Sequence, residues 1–226
     1  MTLLSEMVSA YALVLGIERK TVKQYARTLR EAGLLSQKGR GRGAAHASAR
    51  DGAVLLLGLA ASETAAGAPD AVHRYFEAAS IAHPVDGLDA SFEAHWPPLD
   101  LLGRPACTGS EARATWSGRT FGDVLVGLFE AAEHGELRNA DSGRTFSDLH
   151  VEVSRKGPGY DACVGLTCGR HKWFVQFHRR APETDAMTLG EVQAWHAEHG
   201  KYFHVAATFG KGTIEVLSRT VAGQFS

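Results

Sequence analysis

The stretch Ala12–Ala44 reads ALVLGIERKTVKQYARTLREAGLLSQKGRGRGA. Ala12 and Gly16 lie four residues apart, so a small residue sits one helical turn before the glycine that ends a first helix. Ile17 follows in the turn. Val22, Tyr25, Ala26 and Leu29 recur at i, i+3, i+4 and i+7, which predicts a second helix over residues 19–32 with one apolar stripe. Between these positions stand Lys20, Thr21, Lys23, Gln24 and Arg27. Such side chains reach phosphates and base edges from a helix laid in the major groove of DNA. Gly33, within Glu31-Ala32-Gly33-Leu34-Leu35, can take the left-handed conformation that stops a helix. The short cationic run Gln37–Gly43 comes next, with Lys38, Arg40 and Arg42 between glycines.

Ala12-x-x-x-Gly16-Ile17, Thr21-Val22 and Leu29–Leu35 together resemble the winged helix-turn-helix family of bacterial and phage DNA-binding regulators. The pairing of Leu-Arg-Glu-Ala-Gly-Leu with a Gly-Arg run is also similar to prophage-type proteins. The resemblance covers roughly the first quarter of the chain, the span of one small three-helix module. It implies that the second helix reads DNA. It also implies that residues 37–46 form a wing whose Lys38, Arg40 and Arg42 touch phosphates or the adjacent minor groove. The same residues read equally as a basic linker. Either form contacts phosphate, because that contact is electrostatic and tolerates poor order. The chain departs from the family in two places. Glu18 stands where a Ser or Thr cap is usual, and the segment before Ala12 is short, so the usual first helix is truncated or supplied from elsewhere.

Charge is distributed accordingly. The whole chain of 226 residues carries a net charge of only -1. Residues 1–50 hold nine Lys and Arg against three Glu, whereas residues 51–100 hold one Arg against eight acids. Residues 101–226 hold 14 of each sign. A basic amino-terminal module on an acidic to neutral body is the asymmetry of a DNA-binding protein. Three cysteines, Cys107, Cys163 and Cys168, do not make a secreted disulfide framework, and no signal peptide is evident, so the cytoplasm is the expected compartment. The apolar run Ala53–Ala61 is too short to cross a bilayer, which takes about 20 residues.

Along the chain, Thr2–Leu15 is predicted helical. Ser48-Ala-Arg-Asp51 opens a helix to about Ser62 that is apolar on nearly every side and therefore buried, either completing the amino-terminal module or meeting a second subunit. Pro69 fits the first turn of a helix to about Ser80, with Val72, Tyr75, Phe76 and Ala79 as its apolar face. Residues 82–117 are loop-rich, and His95-Trp96-Pro97-Pro98 reads as a packed structural loop, with a peptide- or ligand-binding surface as the alternative. Thr120-Phe-Gly-Asp123 caps a helix that ends at Gly135. Ser117–Asp123 recurs as Ser142–Asp148 with one difference in seven residues. From Leu149 the period becomes two, and strands at 149–154, 161–167 and 172–178 make an antiparallel meander. A helix over 188–199 and a last hairpin of 202–208 with 213–218 complete a sheet of about five strands.

The expectation is an α+β protein. Residues 1–62 form a winged helix-turn-helix-like DNA-binding module, and residues 63–226 form an α+β domain for dimerisation, a protein partner or a ligand. Its partners are double-stranded DNA and a second copy of the chain, with no membrane. Its function is sequence-specific transcriptional regulation in a bacterium or phage. One rival is a DNA-packaging, recombination or architectural factor built on the same module. Another is a metal-dependent enzyme acting on nucleic acid, with His196, Glu198 and His199 at the metal. No catalytic residues, cofactor or metal are expected. The spacing Cys163-x4-Cys168-x2-His171 is not a common zinc pattern, and neither a G-x-S-x-G elbow nor a Walker loop is present.

Overall fold

A computed structural model describes residues 3–37, 46–81, 120–135, 146–156, 161–168, 171–178 and 205–223. They form helices α1 (Leu4–Leu15), α2 (Arg19–Glu31), α3 (Ala49–Ala61) and α4 (Ala68–Phe76), then strand β1 (Ala79–Ile81) and helix α5 (Phe121–Glu133). Strands β2 (Phe146–Lys156), β3 (Ala162–Cys168), β4 (His171–His178) and β5 (Val205–Gly210) follow, and helix α6 (Lys211–Val221) comes last. The fold is α+β. Several expectations lie outside the described residues: most of the wing at 37–46, the loop 82–117 with His95–Pro98, and the helix at 188–199 with His196, Glu198 and His199.

The first two helices end alike. Gly16 takes φ 64 and Ile17 N–H donates to Ala12 O at 3.0 Å. Gly33 takes φ 77 and Leu34 N–H donates to Leu29 O at 2.9 Å. Each glycine thus supplies the left-handed residue that lets the next N–H bond back into the last turn. Gly16 and Ile17 lie in the tight turn between α1 and α2.

Helix α3 is the centre of the molecule. Ser48 and Asp51 cap it reciprocally, and every residue from Asp51 to Ala60 is buried. It packs against α2, α4, α5, α6 and the sheet. Two glycines allow the close approach: a Cβ on Gly52 would lie 2.8 Å from the Phe129 ring, and one on Gly58 would lie 2.9 Å from Leu29 Cδ1. At its other end, Arg155 of β2 donates from Nε to Ala60 O and from a guanidinium nitrogen to Leu59 O at 3.0 Å, satisfying carbonyls that the helix leaves open. The all-round apolarity of this helix is therefore satisfied within the chain, and it does not argue for a second subunit.

The sheet runs β1-β4-β3-β2-β5, with every neighbouring pair antiparallel. The meander β2-β3-β4 is as expected, but its edges are not. Helix α4 stops at Phe76, short of Ser80, because residues 79–81 leave the helix to pair with β4. Thr213–Ser218 is not a strand but part of α6, and Gly210 is the cap of that helix rather than a hairpin turn. The segment alternates with period two, yet Ile214, Leu217 and Val221 also repeat at helical spacing, and all three are buried. Packing of α6 on α1 and α5 decides between the two patterns, aided by Ser218 Oγ donating to Phe129 O at 2.6 Å. Leu149, Val151 and Val153 turn one face of β2 into the helical layer, where Phe121 meets Phe177 with ring centroids 5.2 Å apart. The buried core is continuous from α1 to α6.

Candidate nucleic-acid interface

Helix α2 is one-sided. Val22, Tyr25, Ala26 and Leu29 are buried, and Tyr25 also donates its hydroxyl to Ser62 O at 3.1 Å. The opposite side faces solvent. Lys20, Lys23, Gln24 and Arg27 are exposed and Thr21 is half-buried, so all five residues singled out on α2 share the outward side. Their spacing of three and four residues makes them neighbours along the helix. Arg19 reaches back instead, donating from Nε to Ser9 Oγ of α1 at 3.0 Å and bracing the two helices against each other.

Two acids temper this cationic face. Lys20 Nζ lies 2.9 Å from Glu18, and Arg27 Nε lies 2.7 Å from Glu31 one turn later. The Glu31 hydrogen bond and charge raise the Arg27 pKa further. Both pairs are exposed, so solvent screens them and they contribute little to stability. Lys23 forms no ion pair among the described residues.

Lys38, Arg40 and Arg42 lie outside the described residues, but the two ends of their segment are fixed. The Asp51 carboxylate, buried in the first turn of α3, accepts from Ser36 N–H at 2.7 Å and Ser36 Oγ at 2.9 Å on one side. From Ser48 it accepts N–H at 2.9 Å and Oγ at 2.7 Å on the other. Gln37 donates to Arg30 O at 2.6 Å, tying the departing chain to the last turn of α2, and His46 bridges to Leu3 on its return. The cationic segment is thus closed at its base by one carboxylate, beside the end of α2. In the sequence Asp51 shows only as a helix cap. Its second role depends on Ser36, 15 residues earlier, for which no local pattern exists.

Burial, and then the Asp51 charge, hold the Tyr11 hydroxyl well above its usual pKa, so it remains a donor to Gly52 O at 2.8 Å. Among the described residues one group of His, Cys and acidic side chains is close enough to share a metal ion: His150, Glu152 and Cys163. Burial, with the Glu152 charge adding to it, pushes the Cys163 thiol up to about 12, so without a cation it stays protonated at neutral pH. No helix among the described residues is long and apolar enough to cross a membrane. No protein-family model, curated protein or solved structure matches the chain.

Proposed function

We propose that this chain is a sequence-specific double-stranded-DNA-binding regulator of bacterial or phage type. Helix α2 lies in the major groove, and Lys38, Arg40 and Arg42 rest on phosphates or in the adjacent minor groove. The observation that carries the reading is the shared outward side of Lys20, Thr21, Lys23, Gln24 and Arg27, on a helix held from behind by four buried residues. Docking such a helix requires both a free polar side and a rigid backing. The local acids Glu18 and Glu31 reduce the net positive charge of the surface. That weakens indiscriminate phosphate attraction relative to contacts made by Thr21 and Gln24 with base edges. The remainder of the chain serves dimerisation, a partner or a ligand, and a homodimer would read two half-sites about 34–36 Å apart.

Selection of bound fragments from the source genome, followed by footprinting, tests the reading. One or a few short protected sites beside promoters are expected, with two-fold symmetry if a dimer binds. In the same assay Gln24→Ala changes the preference among sequences. Diffuse, salt-sensitive retention of every fragment would favour a packaging or architectural factor. No retention at low salt would remove DNA binding altogether.

A further inference from the structure

The sheet carries a second chemistry, remote in sequence from α2. Leu149, Val151 and Val153 face the helices, so His150 and Glu152, two residues apart on β2, share the other face. The β2–β3 register sets Glu152 opposite Cys163, and Thr208 of β5 stands opposite Glu152 on its other side. Imidazole nitrogen, carboxylate oxygen and thiol sulfur all lie within 4.8 Å of one another, and His150 Nε2 is 3.4 Å from Glu152 Oε2. Exposure is graded: Cys163 is buried, the Glu152 side chain is 16% exposed and that of His150 is 42% exposed.

We propose that His150, Glu152 and Cys163 form a zinc site, with three protein ligands and the fourth position open toward solvent. Zinc takes sulfur at about 2.3 Å and nitrogen or oxygen at about 2.0–2.2 Å in a tetrahedron, which sets ligand atoms roughly 3.3–3.6 Å apart. The His150–Glu152 pair already has that separation, and the partly exposed imidazole can turn to close the rest. The donor set selects the ion. Thiolate and imidazole favour zinc, whereas calcium and magnesium take oxygen ligands throughout. Paired strands hold two of the three ligands in direct register, so little ordering is left to do on binding. Binding replaces the thiol proton by the metal and releases that proton to solvent. None of these residues belongs to the α2 surface, so the site stands or falls independently of DNA binding.

Cobalt titration of the chelator-treated full-length chain tests the site. The expected result is saturation at one equivalent, with thiolate-to-cobalt charge-transfer absorption that zinc abolishes by displacement. Cys163→Ser should lose that absorption. His150→Gln, at the half-exposed end of the site, should retain a folded chain and weaken cobalt affinity at least about tenfold, a loss of about 1.4 kcal/mol. Absence of saturable absorption in the unaltered chain would overturn the proposal. So would absorption that survives Cys163→Ser, which would assign it to Cys107 or Cys168, or an unchanged affinity in His150→Gln. The His150 variant decides the matter even where Cys163→Ser fails to fold.

Discussion

Helices α2 and α3 are both 13 residues long and have opposite surroundings. The first buries four residues in one stripe and turns its charged and amide side chains to solvent. The second buries ten consecutive residues and touches other helices and the sheet. The difference lies in the spacing of apolar residues and in the two glycines that let neighbours close on α3. A one-sided helix leaves a polar face exposed, so under the proposed function its outward substitutions act on binding. A helix enclosed on all sides is core, so its substitutions act on stability.

The sharpest way to break this contrast is to truncate both helices. Leu57→Ala in α3 should cost about 2–5 kcal/mol of folding stability through lost burial and a residual cavity, read as a fall in the denaturation midpoint. Lys23→Ala in α2 should change stability by less than about 0.5 kcal/mol. It should also weaken DNA binding and flatten the slope of log affinity against log salt by about 0.9 if one phosphate contact is lost. An unfolded Lys23→Ala or a fully stable Leu57→Ala would erase the distinction.

Asp51 tests where the two roles meet, because a residue of the enclosed helix closes the base of the cationic segment. Asp51→Ala removes the acceptor for Ser36 and Ser48 and should cost about 3 kcal/mol. Under conditions where the variant is folded, it should also reduce DNA affinity, because Lys38, Arg40 and Arg42 lose their fixed base. A stability loss without an affinity loss would show that the basic segment acts only as a tethered charge. Gly52→Ala is smaller. Its new Cβ would meet the Phe129 ring at 2.8 Å and the Tyr11 hydroxyl at 3.0 Å. Overpacking of about 1–3 kcal/mol then outweighs a gain in helix propensity of about 1 kcal/mol, and thermal unfolding should shift downward.

What could be read from sequence was local chemistry. The stripe on α2, the glycines that end α1 and α2, and the caps Ser48–Asp51 and Thr120–Asp123 each depend on residues within one or two turns. What could not be read depends on distant partners. Ser117–Asp123 and Ser142–Asp148 are nearly the same words, yet Thr120–Asp123 of the first caps α5 and Phe146–Asp148 of the second belongs to β2. Thr213–Ser218 carries a strand period and a helix period at once, and contacts with α1 and α5 select the helix. Residues 79–81 leave α4 for an open sheet edge. His150 and Glu152 show their shared face in sequence, but their meeting with Cys163 requires the β2–β3 register. A shift of one residue would move Cys163 to the other side.

Glu18 offers the smallest and most discriminating change on α2. It is exposed, lies in the turn between α1 and α2, and pairs with Lys20 at 2.9 Å. Loss of an exposed pair costs at most about 1 kcal/mol, so Glu18→Gln should leave the denaturation midpoint almost unchanged. If α2 docks on DNA as proposed, the carboxylate would repel nearby phosphate and compete for Lys20. Removing one charge at contact distance in water is worth up to about 1 kcal/mol, or roughly fivefold in affinity, and less as salt is raised. Glu18→Gln should therefore bind every duplex somewhat more tightly and with a steeper salt dependence, while the ranking of sequences stays the same. Weaker binding would mean instead that Glu18 orients Lys20 for a specific contact. A changed ranking would give Lys20 the base-reading role proposed for Gln24, and the outward side of α2 would then be specified by its acids as much as by its cations.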